Sequence, residues 1–359
     1  MIPVTKTFLP PQSEYVKIIQ QIWKSNQLAN GGELLFDLQK KIKQTLGSVN
    51  LFLTANGTIP IQIALKNMAK NGEVITTPFS YVATTSSIVW ENCTPVFVDI
   101  HPEYLTINEN KIEAAITERT TAILATHVFG NPCHVDEIER IAKKYKLKII
   151  YDAAHCFGVN YKGKSVFNYG DISTCSFHAT KIFHTGEGGA LFCENESLYH
   201  KLFYSHNFGH KGELEFYGLG INGKMSELQA AMGLTVLPYM ASLIENRKKQ
   251  VKLYDEYLIF ENLRKIKIRE NTEWNYSYYP VIFKKKKQLL KVQKALNDKQ
   301  IFPRRYFYPS LNTLDYVTFS EMEIAQNISE NILCLPLYAE LRKADIALIS
   351  KIINNNLSF

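Results

Sequence analysis

Three short stretches hold the residues whose types and spacing bear on chemistry. The first is Ile149-Ile150-Tyr151-Asp152-Ala153-Ala154-His155, where an acid follows an apolar run. Taken alone, Asp152 reads equally well as a helix cap or turn acid and as a carboxylate placed to hold a protonated ring nitrogen. His155 is placed to flank the same ring, although a lone histidine is more often a satisfied structural residue. The second stretch is Ser173-Thr174-Cys175-Ser176-Phe177-His178-Ala179-Thr180-Lys181, continuing through Gly186-Glu187-Gly188-Gly189-Ala190. A lysine beside a sheet core is costly without a partner. A Schiff base to a carbonyl group removes that cost, and as a free amine the same lysine shuttles protons. Ser176, five residues upstream, offers a hydroxyl, and the glycines let a ligand and neighbouring backbone approach closely. The third stretch, Leu53-Thr54-Ala55-Asn56-Gly57-Thr58-Ile59-Pro60, enters an apolar helix with Ile61, Ala64, Leu65 and Met68. A Gly-Thr step at a helix start presents free N–H groups and the positive end of the helix dipole, which suits a phosphate; the competing reading makes Asn56 or Thr58 a simple cap.

Taken together, a Schiff-base lysine, an acid for a ring nitrogen and a phosphate cup describe a site for pyridoxal 5′-phosphate (PLP), which acts as an electron sink only while its pyridine nitrogen keeps a proton. In open α/β sheets such residues belong just after the carboxyl ends of strands. Candidate strands are Leu51–Thr54, Glu73–Thr76, Thr94–Val98, Thr121–Thr126, Lys148–Tyr151, Ser173–Phe177 and Ala190–Cys193, and His134–Tyr145 carries Val135, Ile138, Ile141 and Ala142 at helical spacing. This alternation predicts a largely parallel α/β sheet with helices on both faces. After Asn222 the texture changes: a long helix from Ser226 to about Leu258, a Tyr-rich strand Trp274–Phe283, a Lys-rich helix and a last helix Lys343–Asn354. The expected division is a large lobe at 1–240, whose N-terminal segment packs on a smaller α+β lobe at 241–359.

Composition limits the alternatives. A chain of 359 residues with 46% hydrophobic content buries a core large enough for two lobes. It has no run of 18 apolar residues and no signal-like start, so the expected address is the cytoplasm, without a membrane span. The six cysteines are scattered, with no CxxC pair, which predicts reduced, mostly buried thiols and no metal site. The formal charge of +7 lies partly in runs such as Lys284–Lys287 and Arg247-Lys248-Lys249, read as solvated faces rather than a nucleic-acid patch because no aromatics interleave with them. A nicotinamide enzyme is disfavoured: no GxGxxG follows a strand, and Gly186-Glu187-Gly188-Gly189 precedes a strand instead of a helix.

The segments Ser176–Lys181 and Thr185–Ala190, with Asp152–His155, Asn56–Thr58, Thr77–Thr84, Gly220–Ala231 and Arg304–Pro309, resemble the DegT/DnrJ/EryC1/StrS sugar aminotransferases over nearly the whole chain and in the family's order. The resemblance implies the PLP-dependent fold type I (aspartate aminotransferase-like) and a homodimer with shared active sites. It implies Lys181 as the Schiff-base lysine and Asp152 as partner of the pyridine nitrogen. Tyr81 falls where an aromatic stacks on the ring, His155 stands as a flank where many members have Gln, and Gly57, Thr58, the Ile59 N–H and Ser176 fall at the phosphate, with Asn222 reaching it across the dimer. His184, Tyr306 and Tyr308 are candidates for the nucleotide-sugar substrate, and the His206–His210 loop is another. Members with His in place of the lysine deoxygenate sugars; Lys181 favours transamination, with L-glutamate as donor. The branch resembled most acts on dTDP-4-keto-6-deoxy-D-glucose; C3 amination of a dTDP-3-keto-6-deoxyhexose is the runner-up, UDP-linked 4-keto sugars come third, and a non-catalytic regulatory member is the reading from another class.

Overall fold

The computed structural model describes residues 1–357. In chain order its first strands are β1 (Ile2–Pro3), β2 (Leu51–Thr54), β3 (Glu73–Thr76), β4 (Thr94–Phe97), β5 (Thr120–Thr126), β6 (Lys148–Asp152), β7 (Asn160–Tyr161), β8 (Lys164–Ser165), β9 (Ile172–Ser176) and β10 (Gly189–Phe192). Seven of these form the central sheet in the order β2-β10-β9-β6-β5-β3-β4. The β3–β4, β3–β5, β5–β6 and β6–β9 pairs are parallel, whereas β10 runs antiparallel to both β9 and β2. The reason lies in the connections. A parallel return needs a crossover, usually a helix, and helices Val82–Trp90 and Val135–Tyr145 supply it between β3 and β4 and between β5 and β6. Residues 177–188 contain no helix, and the chain comes back antiparallel.

Both sheet faces are covered, as continuous apolar strands require. Leu51 and Leu53 of β2 join a cluster with Leu38, Ile42 and Ala231, while Phe52 between them points to the other face, into Ile61, Leu65 and Leu124. The helix Glu33–Leu46 begins at Gly32, and its first free N–H groups are satisfied by a side chain from far along the chain: Leu34 and Leu35 donate to the buried Glu227 carboxylate at 2.9 and 3.0 Å. A Cβ at Gly32 would lie 2.3 Å from that carboxylate carbon, so only glycine lets the acid dock there.

The remaining strands are β11 (Leu263–Lys265), β12 (Thr272–Glu273), β13 (Tyr279–Phe283), β14 (Ile301–Phe302) and β15 (Ile332–Leu335). An antiparallel sheet β11-β13-β15 packs with helices Met240–Tyr257, Lys286–Asn297 and Lys343–Leu357 around a separate cluster that includes Tyr254, Val281, Leu289 and Ile349. The N-terminal strand β1 pairs with β14, Ile2 opposite Ile301.

Three expectations need correction. The single helix expected at Ser226–Leu258 is two, Glu227–Val236 and Met240–Tyr257, separated by a 3₁₀ turn at Leu237–Tyr239, where Pro238 has no N–H to continue the ladder. Of the Tyr-rich strand only Tyr279–Phe283 is extended in a sheet, because Asn275 and Ser277 spend their side chains on the carbonyls of His155 and Phe157. Arg247 is not on a solvated face: it is buried, its guanidinium donating to the Ser277 carbonyl at 2.8 Å. All six cysteines are free and buried.

Candidate active site

β2, β3, β5, β6 and β9 all end on one edge of the central sheet, and β10, being antiparallel, begins there: Gly189 stands opposite both Thr54 and Ser176. A cavity of about 540 Å³ opens at this edge. Its wall brings together Asn56, Gly57 and Thr58 after β2, Ser80 and Tyr81 after β3, Thr126 of β5, Asp152 and His155 from β6 and its loop, and Ser176 and Lys181 from β9 and its loop. Tyr278, Arg304, Tyr306 and Phe307 close it from the C-terminal part of the chain.

The loop after β2 lies tight against β9. A Cβ on Gly57 would sit 2.6 Å from Ser176 Cβ and 2.9 Å from its Cα, and one on Gly189 would meet the Asn56 carbonyl oxygen at 2.5 Å. Glycine at these two places allows three strand ends to converge on one cradle. Inside it, the N–H groups of Thr58 and Ile59 both donate to Asn56 Oδ1, at 2.9 and 3.0 Å. The asparagine therefore does cap the helix, and Ile59 does not line the cavity.

Asp152 is buried, and burial pushes its pKa up; a hydrogen bond from Thr84 Oγ1 at 2.7 Å, one from the Ala154 N–H at 3.1 Å and the nearby Lys181 charge pull it back. Lys181 is half-buried at the cavity, and desolvation lowers its pKa against the opposing pull of Asp152. His155 is held well below the ordinary range by burial, with the Lys181 charge adding to the effect. Its Nδ1 accepts the Phe129 N–H at 3.0 Å, so the neutral ring carries its proton on Nε2. The ring lies parallel to Phe307 at 5.9 Å and meets Tyr278 edge-on at 4.9 Å.

The other candidates divide between the cavity and the rest of the chain. Tyr81 is exposed at the cavity mouth, and Tyr306 lines the wall. Tyr308 is exposed, away from the wall, with the Arg305 guanidinium stacked 3.6 Å over its ring. His184 is not at the cavity: it is buried, its Nδ1 accepts the Gly186 N–H, and its Nε2 donates to the Phe8 carbonyl at 2.6 Å, so both ring nitrogens are spent on tethering the N-terminal segment. His206 is likewise buried, its ring tilted against Phe52 at 4.6 Å. Asn222 is exposed and bridged to Asn207, off the cavity of its own chain.

The residues missed from sequence are Thr84, Ser80, Thr126, His178, Glu187 and Tyr278. Thr126 ends a strand, which was signal enough to inspect it. Ser80 and Thr84 stand four apart across a helix start, the spacing that brings side chains together. Tyr278 arrives from a distant segment and has no local mark.

A buried acid, a desolvated lysine and a glycine-cleared cradle at the ends of neighbouring strands fit a phosphorylated pyridine aldehyde, and comparison with known proteins agrees. The description of the DegT/DnrJ/EryC1/StrS aminotransferase family matches residues 11–354. The chain belongs to this family. It is 40% identical over 345 residues to a dTDP-4-amino-4,6-dideoxy-D-glucose transaminase of Shigella dysenteriae, covering 94% of each chain, and 37% identical to a protein of the same name from Escherichia coli, covering 98% of each. Among solved structures, DesI, crystallised in the presence of its TDP-sugar product, superposes with a TM-score of 0.93 at 26% identity, over 99% of this chain and 92% of that one. The chain is thus a PLP-dependent sugar aminotransferase with the fold type I architecture. Among the described residues no group of side chains is arranged to hold a metal ion, and no helix is long and apolar enough to cross a membrane.

Proposed function

We propose that this chain transfers an amino group from L-glutamate to C4 of dTDP-4-keto-6-deoxy-D-glucose, giving dTDP-4-amino-4,6-dideoxy-D-glucose, a surface-glycan precursor such as one for O-antigen. The observation that carries the chemistry is the convergence of Lys181, Asp152 and the Gly57–Ser176 cradle on one cavity. The substrate rests on the names of two relatives at 40% and 37% identity over nearly full length. When bound, PLP supplies the electron sink that stabilises negative charge at the substrate carbon.

The protein's own residues do the rest. Asp152, kept able to ionise by Thr84 and the Ala154 N–H, holds the proton on the ring nitrogen. Lys181 would link the cofactor and, as an amine whose proton affinity burial has reduced, would take up on Nζ the proton leaving the donor's α-carbon and deliver it to the cofactor's aldehyde-derived carbon, the reverse transfer serving the sugar carbon. Ser176, Gly57 and Thr58 hold the phosphate, with the Ile59 N–H joining them once Asn56 turns away. Tyr81 and His155 flank the ring. Tyr306 and Arg304 face the space left for substrate, where a cation suits the donor's carboxylates or a diphosphate. Asn222, exposed on its own chain, reaches the cavity of a second copy, so the working unit is a homodimer in the cytoplasm.

The test is an end-point reaction with purified protein, PLP, L-glutamate and dTDP-4-keto-6-deoxyglucose, the product identified by mass and NMR. An amine at C4 supports the proposal. Conversion of glutamate to 2-oxoglutarate with no sugar product rejects the substrate and makes dTDP-3-keto-6-deoxyhexoses the next to try. No half reaction with any donor would favour the regulatory reading.

A further inference from the structure

Beside Asp152 runs a row of three buried hydroxyls, two of which, Ser80 and Thr126, also stand at the cavity wall. Thr126 Oγ1 donates to Ser80 Oγ at 3.1 Å, Ser80 Oγ and Thr84 Oγ1 are 2.7 Å apart, and Thr84 Oγ1 donates to Asp152 Oδ2 at 2.7 Å. All four side chains are buried, between 0 and 5% exposed. The three hydroxyls come from three separate places, the end of β5, the loop after β3 and the first turn of helix Val82–Trp90, and Asp152 from a fourth, the end of β6. A hydroxyl has one proton, and an ionised carboxylate only accepts. With Asp152 ionised, Thr84 must give its proton to Asp152, which leaves Ser80 to donate to Thr84 and Thr126 to donate to Ser80. The direction of the whole row is set by the charge at its end.

We propose that Ser80 and Thr126 are positioning residues for the cofactor: through Thr84 they form a one-way donor relay that keeps Asp152 ionised and aimed, although neither touches it. Hydrogen bonds in a chain polarise one another, each strengthening the next by roughly 10–30%, so hydroxyls two and three steps away are felt at the carboxylate. The other groups facing Asp152 are Lys181, whose charge favours the ionised form, and the thiols of Cys156 and Cys175, which burial keeps protonated; His155, three residues along, is neutral. None of these replaces a donor to Oδ2. The inference rests on Asp152 as partner of the ring nitrogen and is independent of which sugar is aminated.

The experiment is a pH titration of the visible absorbance of the holoenzyme for wild type, T84V, S80A, T126V, T126S and D152N. An acid with fewer donors takes more of the shared proton for itself; the ring then carries less positive charge, and the cofactor's visible band converts at higher pH. Expected are upward shifts of about one pH unit for T84V and a few tenths of a unit for S80A and T126V, with T126S, which keeps the hydroxyl, returning to wild type. Variants that lose thermal stability while their band titrates as in wild type would make the row mere packing and overturn the relay. D152N separates the two layers: if it also leaves the titration unmoved, the assignment of Asp152 has failed; if D152N shifts it and S80A and T126V do not, only the relay has.

Discussion

Gly57→Ala tests the cradle directly. The added Cβ would meet three atoms of Ser176: Cβ at 2.6 Å, Oγ at 2.8 Å and Cα at 2.9 Å. Comfortable carbon contacts begin near 3.5 Å, so the loop after β2 has to retreat from β9 by roughly 1 Å. One of the three contacts is backbone, and rotating the serine side chain cannot relieve it. Overpacking of this size costs about 1–3 kcal/mol. The two halves of the cradle are what the phosphate must bridge, so that cost should appear in binding as a loss of about 5- to 150-fold. Pyridoxamine 5′-phosphate is the right probe, because it binds without a bond to Lys181; its dissociation constant is measured by fluorescence titration of the cofactor-free protein, alongside the melting temperature. A variant that melts lower yet binds the probe as tightly as wild type would refute the reasoning, since the strain would then sit somewhere the phosphate does not.

Lys181→Ala should lower turnover by about 10³-fold or more and abolish the visible absorbance, while thermal denaturation shows no loss of stability, because the amine removed was a desolvated one; a variant within tenfold of wild-type activity would sink its role. His184→Phe leaves the Phe8 carbonyl without its donor and should destabilise the fold by about 1–3 kcal/mol, with KM for the nucleotide sugar unchanged; a raised KM and unaltered stability would restore it as a substrate contact. His127 is fully buried and its pKa is lowered by desolvation to about 3, against about 6.5 unfolded. A depressed histidine gives stability that is complete above pH 6.5 and lost as the unfolded state takes up the proton, a loss of about 3 kcal/mol at pH 4. Denaturation curves of wild type and His127→Phe between pH 8 and pH 4 should converge at the acid end, and parallel curves would contradict the assignment.

Much of the architecture was legible because strand and helix periods differ and because chemistry collects at strand ends. The seven sheet strands were placed within a residue or so at each end, since Leu51–Thr54, Glu73–Thr76 and their neighbours are short apolar runs bounded by turn residues. Lys181 stood out for a related reason, since a lysine beside a sheet core is a poor choice for folding alone; Asp152, which reads equally well as a cap, and Ser176 and Gly57 took on meaning only beside it. What stayed hidden depends on long-range contacts. Arg247 reads as one member of a basic run, and it is the carbonyls of Tyr276 and Ser277, about thirty residues on, that make it an interior residue. His184 sits in the motif beside Lys181, yet its partner, the Phe8 carbonyl, lies 176 residues away.

The same contrast bears on how the site works. The groups expected to meet the cofactor are polar residues placed where polarity is expensive, and the structure meets the expense with partners that carry no mark of function: Thr84 for Asp152, the Phe129 N–H for His155. The partners set the state of the groups they serve. Without the Phe129 amide, His155 could carry its proton on either nitrogen; with it, only Nε2 remains free to donate. Without Thr84, burial would favour a protonated Asp152, which could not stabilise a charged ring. A search for function by residue type alone therefore finds the candidate groups and misses the partners that set their state, and those are where substitutions of innocuous appearance, Ser80→Ala or Thr126→Val, should change the cofactor's titration while Lys181 and Asp152 themselves are unaltered.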